Sequence, residues 1–235
     1  MSQQHILKRF DTDLEDLRSR VLAMGGLVEQ QFLRAMEGLE SGDLTALEQI
    51  IANDHLVNRH EVELDEACTQ IIARLQPTAV DLRMVMTVVK IITDLERIGD
   101  EAKKIAKMAR DLHSDSLRAI PRIELRSTAN IAVTMLRKSL DAFARVDETV
   151  SYEVARQDRE VDASFKAAMR QLITFMMEDP RTISSSLDLL FVARSIERIG
   201  DHAKNIAEYV VYMVKGRDVR HIGLEELEKE LAHKS

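Results

Sequence analysis

Glu96-Arg97-Ile98-Gly99-Asp100 returns later in the chain as Glu197-Arg198-Ile199-Gly200-Asp201. The match continues, with Ala102, Lys103, Ile105 and Ala106 aligning with Ala203, Lys204, Ile206 and Ala207. A five-residue identity followed by further matches in the same order marks an internal duplication, which constrains the fold more than any single element does. Around the first motif Leu95, Ile98, Ala102, Ile105 and Ala109 recur at helical spacing. Around the second, Ile196, Ile199, Ala203, Ile206 and Val210 do the same.

Upstream the duplication persists. Asp54-x-x-Val57-Asn58 aligns with Asp158-x-x-Val161-Asp162, and Phe32, Leu39 and Asp43 fall opposite Leu136, Phe143 and Asp147. The offset is 104 residues for these pairs and 101 for the motif, a loop-length difference placed around Pro77 and Pro180. Each repeat reads as three helices. In the first, Leu14, Leu17, Val21, Met24 and Val28 begin a helix ending near Gly42. A second helix runs from about Asp43 to Leu75, and a third from Ala79 to His113 after the break at Gln76-Pro77-Thr78. In the second repeat the expected helices are about Pro121 to Arg145, Glu148 to Glu178 and Thr182 to Lys215, with the break at Asp179-Pro180. The expected fold is all-α, a tandem repeat of two three-helix bundles over residues 1–115 and 116–216. In the tail, 217–235, Leu224, Leu227 and Leu231 suggest a short amphipathic helix. Gly25-Gly26, inside the first helix, is expected to mark close helix packing or a mild bend.

Composition agrees with a helical globular protein. Of 235 residues, 45% are hydrophobic, 31% charged and only 4% aromatic, with no Trp and three Pro. The formal net charge of −7 comes without any long basic tract, which argues against binding to a phosphate backbone. Cys68 is the single cysteine, so no internal disulfide forms, as in a reducing cytosol. It lies among Leu64, Ala67, Ile71 and Ile72 and reads as a small buried hydrophobe. No signal peptide or membrane span is legible, and a cytoplasmic location is expected.

The chemistry gathers on the repeated helices. Glu96 and Asp100, like Glu197 and Asp201, sit four apart and border the apolar stripe. Asp54 with Asn58, and Asp158 with Asp162, have the same spacing on the second helices. Like charges at i,i+4 repel, and a cation between them relieves the repulsion. Two readings stay open: a divalent metal (Mg, Mn, Zn or Fe) on these oxygen ligands, or ion pairs in which Arg97 and Arg198 neutralise the acids. Because Asn58 replaces a carboxylate, the first site reads as the less negative, so the second is expected to load first.

Catalytic motifs are missing. The one Glu-x-x-His match, Glu230-Leu231-Ala232-His233, lies in the tail, and His202 has Glu101 as its counterpart, so the repeat does not preserve it. His202 therefore reads as solvated or salt-bridged. Lys103, Lys104, Lys107 and Arg110 form a basic end to the third helix, suited to the helix dipole or to an acidic partner. The chain reads as a regulator or adaptor, with a metal-dependent bundle enzyme or a purely structural scaffold as the alternatives.

The doubled Glu-Arg-Ile-Gly-Asp, each copy closing a helix-loop-helix unit, resembles the PhoU family. So do Met24-Gly25-Gly26-Leu27-Val28-Glu29-Gln30-Gln31, Gln76-Pro77-Thr78-Ala79, Phe175-Met176-Met177-Glu178-Asp179, and Ser195-Ile196 leading into the second motif. The resemblance covers essentially the whole chain. It implies a tandem three-helix-bundle repressor of the phosphate-starvation response, a homodimer that links a PstB-type transporter ATPase to a PhoR-type sensor histidine kinase. It also implies no direct DNA binding, and contact with the membrane only through partners. Some members carry metal on the acidic i,i+4 motifs, which here fall on Asp54, Asn58, Glu96, Asp100, Asp158, Asp162, Glu197 and Asp201.

Overall fold

The computed structural model describes residues 2–114, 119–220, 222–223 and 226–227, with side chains from Thr12 onward. Six α-helices follow one another: α1 Ser2–Ser41, α2 Leu44–Leu75, α3 Ala79–His113, α4 Arg126–Arg145, α5 Val150–Glu178 and α6 Ile183–Lys215. Among the described residues there is no strand.

The punctuation comes from the expected residues. Gly42 takes φ +72°, a conformation that suits a residue without Cβ. Asp43 then caps α2, its carboxylate accepting from the Ala46 amide at 3.1 Å. At the second break the Asp179 carboxylate accepts from the Arg181 amide at 3.0 Å, and Pro180–Thr182 form one turn of 3₁₀ helix before α6. The first helix extends back from the stripe at Leu14 to Ser2. One boundary differs from the sequence expectation: the fourth helix starts at Arg126 rather than Pro121. Residues 119–125 are instead laid down as non-helical chain, with Pro121 and Leu125 buried and the Glu124 carboxylate accepting from the Ser127 amide at 3.0 Å. The Ser185 hydroxyl ties this segment to α6 by donating to the Ala119 carbonyl at 2.5 Å.

The two bundles do not keep separate cores. Their buried apolar residues form one continuous cluster, from Leu14 and Leu17 through Ile91, Leu95 and Ile98 to Ile196, Ile199 and Met213. The join is the packing of α3 on α6. Both are buried over most of their circumference, whereas α2 and α5 each bury one stripe. Asp94 of α3 meets His202 of α6, and Glu101 of α3 meets Ser195 of α6. The partner number falls as the α3 number rises, so the helices run antiparallel. At the offset of 101, Ser195 is the counterpart of Asp94 and His202 that of Glu101. The two contacts are thus one contact seen twice, about a local twofold axis. Away from the seam, α1 and α4 also touch, through ion pairs of Arg137 with Glu29 at 2.6 Å and of Arg126 with Glu40.

Of the two central glycines in α1, one is a packing residue. A Cβ on Gly25 would stand 2.6 Å from Leu140 Cδ1 of α4, while a Cβ on Gly26 would meet nothing within 4 Å. The tail gives one anchor: Leu227 is buried with Ala155, Val211 and Val219. Leu224, Leu231 and Glu230-Leu231-Ala232-His233 lie outside the described residues.

Candidate functional site

The repeated glycine of each motif lets the hairpin helices approach. A Cβ on Gly99 would stand 3.2 Å from Val57 Cγ1, and one on Gly200 would stand 3.5 Å from Val161 Cγ1. That proximity sets the acids of α2 beside those of α3, and the acids of α5 beside those of α6.

The first centre is built on Asp54, which is 6% exposed. Its Oδ2 accepts from Lys103 Nζ at 2.5 Å, and the same ammonium lies 3.9 Å from Asp100 Oδ1. Its Oδ1 is buried without a hydrogen-bond partner. Burial, then Asp100, Glu61 and Asp54, push the Glu96 carboxyl above its ordinary range, against Arg97. Burial, then Asp65, raise Glu61, with Arg97 opposing and Asp100 adding. Asn58 is exposed, whereas its counterpart Asp162 is half-buried.

The second centre repeats the arrangement. The Asp158 Oδ2 accepts from Lys204 Nζ at 2.6 Å. Glu197 Oε1 accepts from Arg194 at 2.6 Å, while its Oε2 is buried without a partner. The Glu197 carboxyl is raised by burial and then by Asp201, with Asp162 and Asp158 adding and Arg194 opposing. Asp201 is raised by burial and by Asp158 and Asp162, against Lys204. Burial works to lower the Lys204 pKa, but the bond to Asp158 and the facing carboxylates outweigh it and hold the ammonium charged.

The acids singled out by spacing are therefore brought together, as two related clusters. The cation bonded to the buried aspartate of each centre is a lysine, Lys103 on Asp54 and Lys204 on Asp158, while Arg97 acts on Glu96 and Glu61 without a bond to either. Lys103 and Lys204 sit three residues past the motif aspartates, and the sequence places them in matching positions of both repeats. Arg198 instead reaches across the seam to Glu101 at 3.1 Å. Three of the four residues in the basic end of α3 are paired within the chain, Lys103 with Asp54, Lys104 with Glu101 at 2.9 Å and Arg110 with Asp111 at 2.9 Å, and Lys107 is half-buried. Glu61 adds to the first centre a carboxyl that spacing alone did not count, at the position where the second repeat has Phe165.

A hard dication suits these oxygen donors in kind, and the partnerless oxygens of Asp54 and Glu197 are the groups it would satisfy. As the side chains stand, no three acidic, His or Cys residues among those described converge as a ligand set. A dication at either centre has to compete with the resident ammonium.

His202 is not solvated. It is 7% exposed, and its Nδ1 lies 2.7 Å from Asp94 Oδ1. Asn205 donates to the same oxygen at 3.4 Å, and the half-buried Tyr209 has its phenol pushed up to about 12 by desolvation and then by Asp94, to which it is bonded. Cys68 is buried, and burial pushes its thiol up to about 12, which keeps it protonated and unreactive at neutral pH.

Glu208, near Lys204, carries a pH signature. It is 8% exposed, and burial, with Asp158 and Asp218 adding and Lys204 opposing, raises its pKa from 4.5 to about 7. The folded chain thus holds this proton more tightly than the unfolded chain. The associated stability is complete below about pH 4.5 and is lost as pH rises through 7. Replacing Glu208 by Gln is expected to leave stability unchanged below about pH 4 and to raise it at pH 8 by about 3 kcal/mol. Urea unfolding of both proteins across that range is the check; parallel curves contradict the assignment.

Comparison with known proteins places the whole arrangement in context. The PhoU domain family matches this chain twice, over residues 21–109 and 125–210. The phosphate-specific transport system accessory protein PhoU of Escherichia coli K12 is 46% identical over 231 residues, covering 98% of this chain and 95% of that protein. The crystal structure of PhoU from Pseudomonas aeruginosa superposes with a TM-score of 0.84 at 46% identity, covering 88% of this chain and 100% of that one. The phosphate transport system regulatory protein PhoU from Streptococcus pneumoniae gives a TM-score of 0.83 at 28% identity, over 89% and 99% of the two chains.

Proposed function

The chain belongs to the PhoU domain family, and from that membership we propose that it is a non-catalytic regulator of phosphate transport. In this reading it represses the phosphate-starvation response by contacting both a PstB-type transporter ATPase and a PhoR-type sensor kinase. It acts in the cytoplasm as a homodimer and reaches the membrane through its partners; among the described residues, no helix is long and apolar enough to cross a bilayer.

The observation that carries this reading is the near full-length likeness to named phosphate-transport accessory proteins. The architecture supports it. Two related hairpin faces, α2–α3 and α5–α6, are held on one buried seam, and holding two partners on one body raises the effective concentration of each near the other. The acidic centres suit surface shaping better than turnover, because Lys103 and Lys204 are bonded to the buried Asp54 and Asp158 at their hearts. The partnerless oxygens of Asp54 and Glu197 favour a second element: when metal is present, Asp54, Asn58, Glu96 and Asp100, or Asp158, Asp162, Glu197 and Asp201, would hold a dication as a fixed positive charge.

Deleting the gene is expected to leave a starvation-gene reporter on in high phosphate, and the intact chain to restore silencing. A deletion strain that still silences the reporter overturns the proposal. Catalytic turnover lost on replacing Glu96, Asp100, Glu197 and Asp201 by Ala would favour the enzyme alternative.

A further inference from the structure

The duplication makes one hairpin face a control for the other. On α5, Phe165, Met169, Ile173 and Met177 stand where α2 carries Glu61, Asp65, Thr69 and Ala73. On α6, Phe191 stands where α3 carries Lys90, while Ile183 and Leu187 replace Leu82 and Met86. At Phe165, Met169 and Phe191 the second repeat has thus exchanged a charge for a large apolar group, beside Ile183 and Leu187, which match the exposed Leu82 and Met86 of the first.

These groups are not buried. Met177 is 81% exposed, Phe191 58%, Ile173 46%, and Ile183 and Leu187 42% each. The antiparallel register of α5 and α6 is fixed by Lys204 on Asp158 and by Arg194 stacked 5.6 Å above the Phe165 ring. Carried along the pair, that register sets Ile173 level with Leu187 and Met177 level with Ile183. The result is a strip running from Phe191 to the turn at Pro180. In the first repeat the matching Lys90 instead lies over Tyr209 and Tyr212, at 5.3 and 4.9 Å, and is half-buried.

The strip has a basic rim in a chain of net charge −7. Lys166 and Arg170 are exposed on α5, and the side chains of Arg194 and Arg198 on α6 remain 52% and 45% exposed although each touches a glutamate. A second copy docked face to face would bring the same arginines together, which like-charge repulsion disfavours. A helix lying along two antiparallel helices, with an apolar stripe and carboxylates on its flanks, matches both the shape and the charge.

We propose that the outer face of α5 and α6, centred on Leu187 and Phe191, is a docking groove for an acidic amphipathic helix of a partner protein. It rests on the accessory reading in requiring a partner, though not on which partner. A benzophenone amino acid in place of Leu187, in the full chain and in cells, is expected to crosslink to a segment of another protein. Mass spectrometry should show that segment to have apolar residues three and four apart with acidic flanks. Phe191→Lys and Met169→Asp each restore the first repeat's residue at an exposed or half-buried position. Both are expected to lower the crosslink yield at least tenfold with no change in thermal midpoint, and Arg194→Glu to lower it as well. Crosslinks to a second copy, to the same chain or to a basic segment overturn the proposal, as do yields untouched by these variants. The reporter separates the two readings. A chain that represses but gives no acidic-helix crosslink refutes the groove alone, whereas silencing without the gene refutes the regulatory reading whatever the crosslink shows.

Discussion

Lys204→Met is expected to destabilise the protein by about 3 kcal/mol at pH 8, a fall in thermal midpoint of roughly 6–10 °C for a chain of this size. The ammonium lies 2.6 Å from Asp158 and is the cation that Asp201 faces. Removing it leaves Asp158, Asp162, Glu197 and Asp201 facing one another in a partly buried site. Breaking a buried pair from one side costs more than the pair contributes, because the remaining charge has lost its solvent. The estimate is set at the low end of the usual range because the Lys204 side chain is still 29% exposed. The pH dependence follows in sign. Asp201 and Glu208 already sit above their ordinary pKa values although Lys204 opposes the rise, and without the lysine they rise further. The folded state then gains protons relative to the unfolded chain, so the variant recovers toward wild type as pH falls to 5 and loses most ground in alkali. Millimolar Mg²⁺ or Mn²⁺ is expected to raise the variant's midpoint more than that of wild type, since the competing ammonium is gone. A variant as stable as wild type at pH 8 would show that the lysine is not the counter-charge of this cluster.

Asp94→Ala is expected to cost about 3 kcal/mol, combining a small cavity with the loss of the acceptor for His202, Asn205 and Tyr209. Asp94 is 2% exposed at the joint of the two repeats, so the groups it leaves behind cannot turn to water. Asp94→Leu combined with His202→Leu removes both sides of the buried contact and is expected to recover part of the loss, since the imidazole is no longer orphaned and the half-buried Asn205 and Tyr209 can turn to water. Urea unfolding of Asp94→Leu, His202→Leu and the double variant beside wild type forms the cycle. Additive losses would mean that the two residues are uncoupled and that the seam owes its stability to the surrounding apolar contacts alone.

How much of this was legible depended on distance along the chain. Helix ends at Gly42, Asp43 and Asp179-Pro180 are decided by a residue and its neighbours, and they fell where sequence put them. The apolar stripe through Leu95, Ile98 and Ile105 is likewise a matter of 3.6-residue spacing, and all three are fully buried. The start of α4 was misplaced because Pro121 is compatible with a first helical turn, and only the burial of Leu125 and the tie from Ser185 hold residues 119–125 out of the helix. Arg97 and Arg198 were natural candidates to neutralise the acids because they are adjacent in sequence. An adjacent residue on a helix points about 100° away, whereas Lys103 and Lys204, three residues on, share the face.

His202 is the sharpest case. Because Glu101 stands at its counterpart position, the repeat looked unselective there. In the folded chain a local twofold axis passes between α3 and α6, so Asp94 meets not its own counterpart Ser195 but His202, and Glu101 meets not His202 but Ser195. The contact joins two different positions of the repeat, and the two copies fill it with an Asp–His pair and a Glu–Ser pair. The sequence by itself determined the duplication, the six helices, the acidic pairs and the buried stripe, because each depends on local propensity or on the period of a single helix. Only the tertiary structure decided which lysine closes each acidic centre, which acid joins it from the neighbouring helix, and how the two repeats share one core, because those depend on which faces meet across long separations in the chain.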